Sequence, residues 1–314
     1  MANLITNNIQ YTAQTAPEFF VGALSEAHTI ESDYVRVIPN VTKDVMVKKL
    51  VLTGNTISQK DDRDCAWTPT QRMTADSVTL KVANFKINEE QCLDSLDSLY
   101  SEEVFRTGRS EGAMKTEAPG DFKEAVMYLV QKGLSADVER IIWTGDLTSG
   151  ATGLVGQASA SGVKVTIDVV VDPKAAVETA YENIPDAVLS EAEADPAKAP
   201  VRFFVSAKNL RSIKQFLSED QNNANVVYQP WKVEGTKVTY MGCEVVGNPF
   251  IDNDTLLAFS RDNAVFATDL LADTANVEVE QGASLKDRST MYIKGQYRAV
   301  AGFIFNDEVV YAHK

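Results

Sequence analysis

The residues best suited to chemistry are few and badly placed to act together. Only two histidines occur, His28 and His313, one near each end, which leaves little for His-based acid–base or metal chemistry. Cys65, Cys92 and Cys243 show no C-x-x-C spacing and cannot all pair, a pattern that fits a reducing compartment and no zinc site. Asp61, Asp62 and Asp64 would suit a hard cation, but no Gly and closing Glu follow at calcium-loop spacing. Asp252, Asn253 and Asp254 read as a turn. Gly150, Gly153 and Gly156 also read as a turn, because a phosphate loop needs a Lys after its last Gly and a dinucleotide fingerprint opens a helix. There is no G-x-S-x-G elbow. The expectation is no catalytic residue, no cofactor and no metal.

Elements that build surfaces stand out more clearly. The first 35 residues hold no Lys or Arg and only four carboxylates, Glu18, Glu26, Glu31 and Asp33. Leu4, Ile5, Ile9, Tyr11, Phe19 and Phe20 are scattered through them without a period, so they read as an extended arm lying on a neighbouring surface. Asp44–Leu52 and Ser77–Ile87 read as strands of a long hairpin, the second with a phase slip near Ala83–Asn84 that a bulge or strong twist would give. Its tip balances Lys60, Arg63 and Arg72 against Asp61, Asp62 and Asp64, with Trp67 and Pro69 among them. An isolated two-stranded ribbon is marginal in water and needs something to lie against. Lys60, Asp61, Asp62, Arg63, Asp64, Trp67 and Arg72 are therefore the candidate contacts with another subunit.

Glu89–Phe105 has helical spacing with acidic residues at its start. Asp121 as N-cap with Glu124 three residues on opens the longest helix, whose stripe runs from Phe122 to Ile142, with a weak point at Gly133. After Gly162 the pattern is mixed. Val163–Val171 alternates as a strand, Asp172-Pro173 starts a helix, Val201–Val205 is a strand and Ser206 caps a further helix. Glu219–Asn225 reads as an exposed polar loop, and residues 226–246 as strands around Glu234-Gly235-Thr236. Apolar residues at odd positions from Met291 to Phe305 mark a long strand, closed by a hairpin turn at Asn306–Asp307.

Composition bounds the partners. The 314 residues are 44% hydrophobic and 24% charged, as in an ordinary globular chain able to bury one sizeable core or two modest ones. Thirty basic residues against forty-four acidic ones leave a net charge of -14, which argues against gripping nucleic acid through its phosphates. No apolar run approaches the roughly 20 residues that cross a bilayer, and no secretory signal opens the sequence.

In this order of elements the chain resembles the tailed-phage major capsid proteins with the Hong Kong 97 fold. The likeness is sharpest at the exit of the long helix, I-I-W-T-G-D-L-T-S-G-A-T-G-L-V-G-Q-A (Ile141 to Ala158), and in V-R-F-F-V-S-A-K-N-L-R-S-I-K-Q-F-L (Val201 to Leu217), Y-M-G-C-E-V-V-G-N-P (Tyr240 to Pro249) and K-G-Q-Y-R-A-V-A-G-F-I-F (Lys294 to Phe305). The resemblance implies an α+β fold: an N-terminal arm (1–44), an extended β-hairpin E-loop (45–88), a P-domain with a spine helix (89–160), a mixed α/β A-domain (161–271), a P-domain strand return (272–296) and closing A-domain strands (297–314). It implies a non-enzymatic virion shell of hexamers and pentamers around double-stranded DNA, assembled in the host cytoplasm without a membrane. Portal and possible accessory head proteins would join it, and scaffolding would come from a separate protein or not be needed, since the arm starts at Met1. It also places the loop Glu219, Asp220, Gln221, Asn222 and Asn223 at the capsomer axis. The type member's Lys–Asn crosslink would fall on Lys60, Asn306 and Glu308, where nothing local supports that chemistry. An encapsulin-type shell is the alternative, and a monomeric binding module or a hydrolase with an unrecognised site the reading from another class.

Overall fold

The computed structural model describes residues 9–10, 27–41, 43–52, 73–92, 120–146, 151–186, 188–190, 200–220, 230–269, 276–281 and 290–314. A seven-stranded sheet is built around β9 (Val201–Ser206), which lies parallel to β12 (Cys243–Asn248) and antiparallel to β13 (Thr255–Ser260). Beyond β12 come β11 (Lys237–Tyr240) and, at the edge, β10 (Trp231–Glu234); beyond β13 come β17 (Val310–His313) and β8 (Val163–Thr166). The run V-R-F-F-V-S is almost continuously apolar because β9 is covered on both faces. Phe203 and Val205 pack with helices α4 (Pro173–Glu182) and α5 (Ala207–Asp220), through Val177, Ala180, Ile213 and Leu217. Phe204 faces the opposite way, into a core shared with the C-terminal half of the long helix α2 (Gly120–Trp143). Two of the three expected caps act as such: Asp172 accepts from the Ala175 amide at 2.9 Å, and Ser206 Oγ from the Asn209 amide at 3.1 Å, whereas Asp121 lies within α2, which begins at Gly120.

The second sheet has β16 (Thr290–Phe303) as its spine. Along one side lies β5 (Ala83–Cys92); along the other lie first β15 (Asn276–Gln281) and then β14 (Ala264–Thr268). The short β1 (Ile9–Gln10) joins β15, and β2 (Arg36–Ile38) runs parallel to β14. The odd face of β16 presents Ile293, Tyr297, Ala299, Ala301 and Phe303 to the α2 core. Its even face, with Val300, Val265 and Ala267, meets Leu80 and Val41 at the base of the antiparallel hairpin β3 (Val45–Leu52)–β4 (Met73–Leu80). Past the last residue paired to β5, the Gln157 amide takes the missing strand's place: its Nε2 donates to Ala301 O and its Oε1 accepts from the Phe303 amide, each at 3.0 Å.

Several expectations are corrected. Glu89–Cys92 is strand, not the start of a helix, because ladder pairing to β16 overrides helical spacing; residues 93–105 lie outside the described residues. The phase slip marks a change of sheet at Lys81–Val82, where Asp44 accepts from the Val82 amide at 3.0 Å, two residues before the position expected. The strand at Val163 ends at Thr166, since Asp168 Oδ1 accepts from both the Val170 and Val171 amides and turns the chain. Asn306–Glu308 is a 3-10 turn that carries the chain between sheets, so β16 and β17 do not form a hairpin. The short strands β6 (Gly145–Asp146) and β7 (Ala151–Thr152) follow α2, and Gly153 and Gly156 then open helix α3 (Leu154–Ser161) instead of a turn. Helix α5 extends through Asp220, so Glu219 and Asp220 end a helix. The arm, finally, is not extended throughout its 35 residues. Helix α1 (His28–Glu31) and the residues after it are docked, with Ala27, Thr29, Tyr34 and Val35 buried.

Candidate assembly surfaces

The tip residues Lys60, Asp61, Asp62, Arg63, Asp64, Trp67 and Arg72 lie outside the described residues, as do Gln221, Asn222 and Asn223. The structure does describe the elements that present them. Eight paired residues on each strand carry the hairpin away from its base, where Leu80 is buried and Val45, Val47 and Val78 are partly buried. Met46, on the opposite side of β3, is exposed. Helix α5 ends at Asp220, and its last turns pack through Leu217 while Phe216 remains exposed. Val233 on β10 and Met241 in the β11–β12 turn are exposed at the same end of the seven-stranded sheet. Exposed large apolar side chains near an edge strand are the usual raw material of a subunit contact.

Among the described residues, the two histidines lie in separate surroundings. His313 Nε2 lies 3.1 Å from Asp254 Oδ2, where β17 meets β13, whereas the His28 imidazole is 3.2 Å from Ser32 Oγ on an exposed turn. Thr255 Oγ1 also donates to Asp254, at 3.3 Å, so the carboxylate stands between hydroxyl and imidazole, whereas a triad places the imidazole between the other two. The Asp252-Asn253-Asp254 turn is a structural brace: Asn253 accepts from Ser206 Oγ at 2.8 Å, and its carbonyl from Asn209 Nδ2. Asn306 and Glu308 sit in the turn between the sheets.

Sequence reasoning passed over Asp269. It lies where β14 leaves β16 and β15 joins it, at a cleft of 440 Å³ lined also by Asn84, Phe85, Lys86, Gln296, Tyr297 and Arg298. Its Oδ1 accepts from the Arg298 amide at 2.5 Å and its own amide donates to Arg298 O at 3.1 Å, so one residue completes the ladder across the joint. The Arg298 guanidinium is turned to Asn84 Oδ1. Asp269 is 5% exposed, and burial raises its carboxyl above the ordinary range despite the opposing Arg298 amide and charge. A raised acid binds more protons folded than unfolded, so its contribution to stability falls as pH rises from the unfolded pKa through the folded one. Asp269→Asn keeps the acceptor and removes the buried charge. Its melting temperature should equal or exceed that of the parent at pH 7, with the difference shrinking in a pH series taken down through that window. A large loss at pH 7 with no pH trend would contradict this account.

No family model matches the chain, and no curated protein sequence does either. Solved structures do. The capsid of an empty GTA particle superposes with a TM-score of 0.60 at 11% identity, covering 93% of this chain and 89% of that one. The procapsid of satellite phage P4, which includes the size determination (Sid) protein, gives 0.59 at 12%, covering 95% and 90%. The capsid of Myoviridae phage XM1 gives 0.52 at 12%, covering 91% of each. The class these geometries define is a mixed α/β capsid-type fold. Along nearly its whole length the chain has the fold of phage capsid proteins, as its resemblance to them implied.

Proposed function

We propose that the chain is the major capsid protein of a tailed phage, a structural subunit that assembles with copies of itself into a closed head shell. The observation that carries this reading is the extent of the likeness, about nine-tenths of both chains for the GTA capsid. A match confined to one sheet would point only to a shared domain. In this reading residues 1–44 are the arm, β3 and β4 belong to the E-loop, α2 is the spine helix of the P-domain, and the seven-stranded sheet with α4 and α5 forms the A-domain. The 219–223 segment then lines the capsomer axis, where water screens its clustered carboxylates. Each contact in hexamers and pentamers can be weak because many act at once. A net charge of -14 suits a shell that confines DNA without gripping it. A separate scaffolding protein, a portal and accessory head proteins complete the partner set, with assembly in the host cytoplasm and residence in the virion.

Light scattering and negative-stain microscopy of the purified protein test this. The expected result is closed particles far above the 34.4 kDa of one chain. A compact monomer over a wide range of salt and concentration would overturn the assignment. Particles from an expressing cell that enclose protein cargo and no DNA would favour the encapsulin-type alternative.

A further inference from the structure

We propose that Glu139 is the latch for the N-terminal segment, a positioning residue that sets where the arm leaves the body of every copy. Thr29 donates to its carboxylate twice, from the backbone N–H to Oε1 and from Oγ1 to Oε2 at 2.6 Å. Trp143 Nε1 then donates to Thr29 Oγ1 at 2.8 Å. All three residues are withdrawn from water: Thr29 and Trp143 are 0% exposed and Glu139 is 7% exposed. A carboxylate in such surroundings is costly unless donors meet it, and here they come from a segment 110 positions away in the chain. Simple burial of the segment would need only apolar side chains. The Thr–Glu–Trp arrangement adds direction, because a one-residue slip of α1 would break all three hydrogen bonds together.

The rest of the segment behaves as a strap over the joint between the sheets. Asp33 pairs with Arg261 at 2.8 Å, in the turn between β13 and β14, and Arg202 on β9 lies over the Tyr34 ring at 5.1 Å. Tyr34 meets Phe204 edge-on at 5.4 Å, and β2 then pairs with β14. Residues 27–38 therefore touch the long helix and both sheets, which makes Ala27 a fixed point for the chain that precedes it. That such a fixed point serves assembly rests on the shell reading above.

The test compares the parent with Thr29→Val/Glu139→Leu, which removes both polar partners at nearly constant volume, and with Thr29→Ser, which keeps both donors. The double variant leaves the Thr29 backbone N–H and the Trp143 Nε1–H without these acceptors, so it should melt below the parent while still unfolding cooperatively. Amide hydrogen exchange in unassembled subunits should show protection of residues 27–34 falling at least tenfold in the double variant and unchanged in Thr29→Ser. The yield of closed particles should fall at least tenfold in the first and hold in the second. Unchanged protection would overturn the latch, and normal particles from a variant with lost protection would overturn its role in positioning the arm. If the parent itself makes no particles, the shell reading fails, while the exchange measurement still decides the latch. Should the double variant not fold, Thr29→Val alone carries the same two measurements.

Discussion

Replacing residues 53–72 with a short Gly-Ser turn is expected to give soluble, cooperatively melting protein that forms no closed particles. The tip should be dispensable for folding because, among the described residues, the buried ones already form the α2 core, the α4–α5 core and the smaller cluster around Leu80. The hairpin's own anchorage survives the change, since β3 and β4 keep eight paired positions and Leu80 keeps its contacts with Val265 and Val300. Shortening a surface connection changes loop entropy only slightly, so stability should move by about 1 kcal/mol or less. Assembly should respond very differently. Lys60, Arg63 and Arg72 against Asp61, Asp62 and Asp64 can set register on a neighbour, and Trp67 can supply the buried anchor. A shell repeats each contact many times, so losing one contact class should reduce particle yield at least a hundredfold. Microscopy and sedimentation of the variant beside the parent measure this. Normal particles would show that the tip is not an assembly contact, and a variant unable to fold would place the hairpin within the core.

What could be read from the sequence was whatever local physics decides. The Asp172 and Ser206 caps and the odd-position face of β16 follow from rules that act within a few residues, and the structure contains each of them. Two of the errors come from pairing with a partner distant in sequence. Glu89 and Glu90 carry helical signals but lie opposite Ile293 and Tyr292 in a ladder that no local pattern encodes. Asn306–Asp307 looks like a hairpin turn only if the strand after it returns beside β16, and it pairs with β13 and β8 instead. The polar residues that fasten the fold were equally hidden. Gln157 stands in for a strand, Asp269 bridges two others and Glu139 holds the N-terminal segment, yet each is a commonplace residue in its own stretch of sequence. The proposed assembly contacts are legible only as composition, in the balanced charges between Lys60 and Arg72 and the scattered apolar residues before Ala27, because a contact with another subunit leaves no pattern within one chain.

Gly153→Ala should be among the most destabilising single substitutions in the molecule, although it adds only one methyl group. The backbone torsions are not the obstacle, since φ of -77° and ψ of -179° are open to any residue. Space is. A Cβ on Gly153 would lie 2.4 Å from Gly145 N and from Trp143 O, and 2.6 Å from Thr144 C. All three atoms are backbone at the exit of α2, so no side chain can swing aside. That exit is itself tightly specified: Gly145 has a φ of 75°, which favours glycine, and the Thr144 amide bonds to Arg140 O at 2.8 Å. Moving it would disturb Trp143 and Leu154, both fully buried in the core that joins the two sheets. Overpacking against backbone that cannot yield should cost about 3 kcal/mol or more. Gly133→Ala provides the control. It lies exposed within α2, and a Cβ there meets nothing within 4 Å, so the change should stabilise by about 0.5–1 kcal/mol through helix propensity. Urea melts of the two variants beside the parent should move in opposite directions. A Gly153→Ala protein within 1 kcal/mol of the parent would mean that the passage from α2 to α3 is looser than its geometry.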